Sequence, residues 1–138
     1  MPELRRGGEV PSMAKILIIE DEPVLELELT EDLQAAGHEI VGVEASGDKA
    51  MFHAVKSRPD IIIMDIKLHG FRDGIDSAMQ IRGFYPTPII YLTSYSFADV
   101  GERIKRTAPA WYLQKPYSLP LLLKTIEGAL SGSLPPVS

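Results

Sequence analysis

Apolar residues along this chain fall into short blocks whose period changes from one block to the next. "KILIIE" (15–20) is a compact apolar run closed by an acid, the pattern of a buried strand. In "PVLELELTEDLQAAG" (23–37) the alternation of Leu25, Leu27 and Leu29 resembles a strand, but Leu25, Leu29, Leu33 and Ala36 continue at helical spacing. Pro23 suits a first helical turn, Glu22 complements the dipole there, and Gly37 suits a stop, so the segment is read as a helix. "EIVGVEA" (39–45) predicts a second strand, and "SGDKAMFHAVKSR" (46–58) a helix capped by Ser46 and ended by Pro59. "DIIIMD" (60–65) is a third strand, "LHGFRDG" (68–74) a loop, and "IDSAMQIRGF" (75–84) a third helix. "TPIIYLT" (87–93) and "AWYLQ" (110–114) predict two more strands. Between them "SFADVGERIKRT" (96–107) is a helix with Ser96 and Asp99 at capping-box-like spacing, weakened by Gly101. "SLPLLLKTIEGAL" (118–130) is the last helix, with Pro120 tolerable in its first turn.

Strands and helices thus alternate five times, and the strands are apolar runs of the kind covered on both faces. This predicts an α/β sandwich around a doubly wound parallel sheet with right-handed crossovers. Ligands of such sheets bind outside the carboxyl ends of the strands. Here the strong polar candidates collect at those ends: Glu20 and Asp21 after the first strand, Asp65 after the third, Thr93 after the fourth, and Lys115 after the fifth.

Composition narrows the chemistry. The 138 residues fit one domain, expected over 14–131, with flexible segments at 1–13 and 132–138. A formal net charge of -5 argues against direct nucleic-acid binding through overall charge. The absence of cysteine excludes disulfides and thiolate metal sites and suits a reducing cytoplasm. No stretch approaches the roughly 18 apolar residues of a membrane span, and no export signal is read at the N-terminus.

In a strand order 2-1-3-4-5 the first and third strands are neighbours, so Glu20, Asp21 and Asp65 would meet. Adjacent carboxylates repel, and a hard divalent cation relieves the repulsion. A carboxylate oxygen beside Mg²⁺ can attack a phosphoryl group, which makes Asp65 a candidate nucleophile. Lys115 would offer an ammonium and Thr93 a hydroxyl to the phosphoryl oxygens.

With those residues in place, "ILIIEDEP", "IIIMDIKLHGFRDG", "IIYLTSYS" and "WYLQKPYS" resemble the four sequence blocks of the response regulator receiver domain of two-component signalling, over about residues 14–131. The resemblance implies a flavodoxin-like fold of order 2-1-3-4-5. It implies a phospho-accepting Asp65 and a Mg²⁺ (or Mn²⁺) site made by Glu20, Asp21, Asp65 and the Lys67 main-chain carbonyl. It implies a switch hydroxyl at Thr93, an aromatic switch at Tyr112, a phosphate-pairing Lys115 with a cis bond to Pro116, and Asp73–Gly74 as the turn opening the third helix. The implied partners are a histidine kinase or histidine phosphotransfer protein, and an output protein or second copy on the face of the fourth helix, fifth strand and fifth helix.

The chain departs from the family pattern at several positions. Glu20 stands where aspartate is common, and its longer arm suggests reach to the metal through water. His69 replaces a frequent proline in a loop one residue longer than in the chemotaxis regulator, and is read as solvated. Ser94 replaces a usual alanine and adds a second potential donor. Lys67 and Tyr95, at positions that tune dephosphorylation, are bulky, so slow loss of the phosphoryl group is expected. Glu22 is read as a helix-start charge, Trp111 as packing or partner surface, and His38 and His53 carry no assigned chemistry. The expectation is a signalling domain rather than an enzyme, single-domain or an excised receiver. The rival readings are a phosphorylation-independent interaction module and a Mg²⁺-dependent phosphatase of the haloacid-dehalogenase type. The second is disfavoured because Lys67 stands where that family needs a second aspartate.

Overall fold

A computed structural model describes residues 13–138, so the N-terminal extension expected over 1–13 lies, apart from Met13, outside the described residues. The elements follow in the order β1 (Lys15–Ile19), α1 (Pro23–Ala35), β2 (Glu39–Glu44), α2 (Gly47–Ser57), β3 (Ile61–Met64), α3 (Gly74–Arg82), β4 (Ile89–Thr93), α4 (Phe97–Lys105), β5 (Ala110–Gln114) and α5 (Leu119–Ser131). The strands form one parallel sheet of order β2-β1-β3-β4-β5.

The apolar runs of the central strands are split between two faces by the period of two. Ile16 and Ile18 of β1, Ile61 and Ile63 of β3, and Ile90 and Leu92 of β4 pack with Leu29 and Leu33 of α1 and with Leu122 and Ile126 of α5. The alternate residues, Leu17, Ile19, Ile62, Met64, Ile89 and Tyr91, pack with Ala54 of α2, Ala78 and Ile81 of α3 and Ile104 of α4. A run with no alternation is what a strand needs when both faces are covered, and each such side chain contributes about 1.5–3 kcal/mol by burial. The edge strands β2 and β5 are the exceptions among the predicted runs: β2 is half-buried rather than enclosed, and β5 is buried only at Ala110 and Trp111.

Helix starts are set locally. Ser46, Ser96 and Ser118 accept hydrogen bonds from the N–H groups of Asp48, Asp99 and Leu121. The reciprocal capping box lies at α3, where Asp73 accepts from Asp76 N–H and the Asp76 carboxylate accepts from Asp73 N–H. At α1 the predicted stripe holds for Leu29 and Leu33, whereas Ala36 lies exposed past the helix end.

The C-terminal segment, expected as a flexible tail over 132–138, folds back onto the domain. Gly132, at φ 77°, ends α5 in the left-handed region and turns the chain back. Leu134 N–H then donates to the Gly128 carbonyl at 3.2 Å, and Val137 N–H to the Ala110 carbonyl of β5 at 2.8 Å. The physical reason is that β5 is an edge strand with unpaired backbone groups, which the returning chain partly satisfies.

Candidate functional site

Each strand delivers its terminal polar residue to the same end of the sheet. β1 runs into Glu20 and Asp21, and β3, its parallel neighbour, runs into Asp65, whose N–H donates to the Ile19 carbonyl at 2.9 Å. Glu20 and Asp65 are buried, 3% and 5% exposed, and Asp21 is partly exposed. Each of the three offers one oxygen, and these oxygens lie within 4.8 Å of one another. Oxygens that share one Mg²⁺ stand about 3–4 Å apart, so the three would have to draw closer to hold one ion.

Lys115 enters from the end of β5, and its N–H donates to the Thr93 carbonyl at 2.8 Å, which fixes its base beside β4. Its Nζ lies 3.0 Å from Asp65 Oδ2, 3.1 Å from Glu20 Oε1 and 3.5 Å from Glu22 Oε1. Burial works against the ammonium, but the contacts with Asp65 and Glu20 outweigh it and hold its pKa above the ordinary lysine value. Glu20 goes the other way from a surface carboxylate. Burial, and then the charge of Asp65, push it up to about 7, against the opposing pull of Glu22 N–H and Lys115. One ammonium does not neutralise this group of acids, and the charge left over fits a divalent cation.

Asp65 is held on its other side too. Its Oδ1 accepts from the Ile66 N–H at 2.7 Å. Gly74, the first residue of α3, donates to the Ile66 carbonyl at 2.7 Å, and a Cβ there would lie 1.9 Å from the Asp65 carbonyl oxygen. The helix start can approach the acid's backbone only because position 74 is glycine.

Of the remaining predicted residues, Thr93 is fully buried at the end of β4, and its Oγ1 accepts from the Tyr95 N–H at 3.2 Å. Tyr112 donates its hydroxyl to the Tyr95 carbonyl at 2.6 Å and meets the Phe97 ring edge-on at 5.2 Å. Ser94 is exposed and its carbonyl accepts from Gln114, at 3.4 Å, while the Lys67 side chain is exposed. The Lys115–Pro116 bond is cis, as the resemblance implied, and Ala108–Pro109 is cis as well.

Three contacts were not read from the sequence. Glu22, taken as a helix-start charge, also faces Lys115. His69, taken as solvated, is 78% exposed yet places Nδ1 3.8 Å from Asp21 Oδ2, with the loop held by a parallel bridge between Ser46 and His69. Tyr95 joins Thr93 to Tyr112 through its own main chain. The only signal for that link was the spacing of the two hydroxyl residues from the strand ends, which does not reveal a main-chain relay.

The family model described as the response regulator receiver domain matches residues 16–127. The chain is 40% identical over 117 residues to the transcriptional regulatory protein PdtaR of Mycobacterium tuberculosis, a match covering 85% of this chain and 57% of that protein. It is 33% identical over 123 residues to protein PilH of Pseudomonas aeruginosa, covering 87% of this chain and 100% of PilH. The chain therefore spans little more than half of PdtaR but the full length of PilH. Among solved structures, the signal receiver domain of a modulated diguanylate cyclase from Desulfovibrio desulfuricans G20 superposes with a TM-score of 0.80 at 33% identity, covering 87% of this chain and 95% of that one.

Proposed function

The chain belongs to the response regulator receiver family, and on that premise we propose that it accepts a phosphoryl group on Asp65 from a phosphohistidine donor and thereby changes its protein partners. The observation that carries this reading is the pairing of buried Asp65 with Lys115 inside a cluster of acids that exceeds the available positive charge. Glu20, Asp21, Asp65 and the Lys67 carbonyl would hold Mg²⁺ or Mn²⁺. When bound, that ion supplies neutralisation of the phosphoryl oxygens and of the acids' mutual repulsion.

In the transfer, a carboxylate oxygen of Asp65 attacks phosphorus. The new P–O bond forms as the donor's P–N bond breaks, and the bonding pair leaves on the imidazole nitrogen. Lys115, already at Asp65, keeps its ammonium beside the phosphoryl oxygens. Thr93 gives its hydroxyl to a phosphoryl oxygen, with Ser94 as a second donor from the same turn. Moving Thr93 breaks its acceptance of the Tyr95 N–H, and Tyr95 is also what tethers the Tyr112 hydroxyl. One local charge change would thus release Tyr112 and bias a two-state face formed by α4, β5 and α5. Output proteins, or a second copy of this chain, would read that face.

The test is incubation with a small-molecule phosphodonor and Mg²⁺, followed by intact-mass measurement on wild type and Asp65→Asn. The expected result is one phosphoryl mass on the wild type alone. No gain on either would support a phosphorylation-independent module, and rapid turnover of phosphate esters would support a phosphatase. Loss of the mass at an unchanged rate in a Lys67→Ala, Tyr95→Ala variant would overturn the expectation of a slow, sterically hindered dephosphorylation.

A further inference from the structure

The edge of the sheet beside α4 and α5 is not bare. Trp111 of β5 donates its Nε1–H to the Leu134 carbonyl at 3.2 Å, and Val137 N–H donates to Ala110 on the same strand. Leu134 sits over Gly128 of α5, where an added Cβ would come within 2.6 Å of the Leu134 Cβ. Between these anchors stand Pro135 and Pro136, which lack N–H groups and favour an extended backbone, so little chain entropy opposes docking. The returning segment, Phe97, Tyr112 and Leu121 line one groove of about 420 Å³. Val137 and Tyr112 also pack against the same core cluster.

We infer that residues 134–137 act as a strap that occupies the α4–β5–α5 face as its own ligand and is loosened when the phosphoryl group on Asp65 frees Tyr112. The coupling rests on the function proposed above; the strap itself rests only on its contacts. Tyr112 forms part of the groove wall and is tethered through Tyr95 to Thr93, so losing that tether opens the wall of the groove that Val137 also lines. A partner that adds to the β5 edge or fills the groove meets the strap first. Partner docking is therefore gated by a segment of the chain itself.

The experiment uses the full chain and two readouts: exchange of the Val137 amide by NMR, and emission of Trp111, the sole tryptophan. Gly128→Ala favours helix α5 by propensity yet collides with Leu134, so it should lift the strap without unfolding the domain. The expected result is Val137 exchange faster by at least about tenfold, with a red-shifted Trp111 emission. Val137→Pro removes the donor itself and should give the same emission shift. Unchanged emission in both variants, with unchanged Val137 exchange in the first, would overturn the strap. Beryllofluoride with Mg²⁺ should reproduce the loss of Val137 protection in the wild type. A bound-fluoride NMR signal with Val137 protection intact overturns the coupling while leaving the Asp65 reading in place. Absence of any bound-fluoride signal overturns the Asp65 reading and the coupling with it, and the Gly128→Ala result then still decides the strap.

Discussion

The ammonium of Lys115 lies 3.1 Å from Glu20 and 3.0 Å from Asp65, so a single cation bridges the ends of β1 and β3. Replacing it should leave two buried carboxylates without their partner. For Lys115→Met we expect a loss of about 1–3 kcal/mol at pH 8, because the cost of an uncompensated buried charge exceeds the gain of the pair it belonged to. The loss should shrink as pH falls and Glu20 takes up a proton. Urea unfolding of both proteins at pH 8 and pH 5 checks it, and an equal loss at both would count against the bridge.

Glu20 gives the pH dependence its sign. Its folded pKa, about 7, is above the ordinary value of 4.5, so between these pH values the folded state binds more protons than the unfolded state. Stability contributed by Glu20 is then fully present below about pH 4.5 and falls as pH rises through 7, by up to about 3 kcal/mol. Glu20→Gln, which cannot ionise, should flatten that fall and be the more stable protein at pH 8 in the absence of metal. Denaturation midpoints across pH 5–8 would show it, and a wild type that gains stability over this range through Glu20 would contradict it.

At the proposed Mg²⁺ site the same ionisation should set the affinity. A cation binds the deprotonated cluster, so Mg²⁺ affinity should rise with pH up to about 7 and level off above it. At a hundredfold excess over its Kd, Mg²⁺ should stabilise the fold by about 2.7 kcal/mol, since it binds only the native arrangement. Asp21→Asn should abolish most of that gain while changing metal-free stability little, because Asp21 is partly exposed. Thermal melts with and without Mg²⁺ measure both.

What the sequence made legible follows from range. Strand type, the two-faced runs at Ile16–Ile19 and Ile61–Met64, and the carboxylates that end them are properties of contiguous residues, and parallel pairing then brings Glu20 and Asp65 together. Lys115 reaching Glu22, His69 turning to Asp21, and Leu134 returning to Gly128 and Trp111 depend on where separate loops finish in space. No periodicity encodes that. The Asp73–Asp76 capping box carries a local signal, but a weak one, because Asp takes the place of the usual Glu or Gln and the pair reads as a turn. β2 reads as enclosed from its apolar content, because its place at the sheet edge is not something a sequence displays.

Gly74 should be among the least replaceable residues. A methyl at position 74 would overlap the Asp65 carbonyl, and both partners are backbone, so neither can swing aside. Gly74→Ala is expected to destabilise by about 2 kcal/mol or more, against the roughly 1 kcal/mol gain that alanine brings to an open helix site. It should also slow phosphorylation of Asp65 in the folded fraction. Gly83→Ala is the control. Its nearest neighbour, the Gln80 carbonyl, is 3.4 Å from the added carbon, and the change should cost little.

Arg103 of α4 ties that helix to the start of α3. Its guanidinium lies 2.8 Å from Asp73 Oδ2 and 3.4 Å from Asp76 Oδ1, so the acid that caps α3 also anchors α4. Burial alone would raise the Asp73 pKa, but the Arg103 and Asp76 contacts hold it below the ordinary value. Asp73→Ala removes a cap and an ion pair together and should cost about 1–2 kcal/mol, whereas Arg103→Ala, being partly exposed, should cost less than about 1 kcal/mol. A double-mutant cycle isolates the pair, with an expected coupling of about 0.5–1 kcal/mol that weakens in high salt. If α4 shifts on phosphorylation, the coupling measured in beryllofluoride should differ from that in the free protein. A cycle that closes to zero in both states would mean that Asp73 serves α3 alone and that α4 is held by Val100 and Ile104 against the core and by Phe97 against Tyr112.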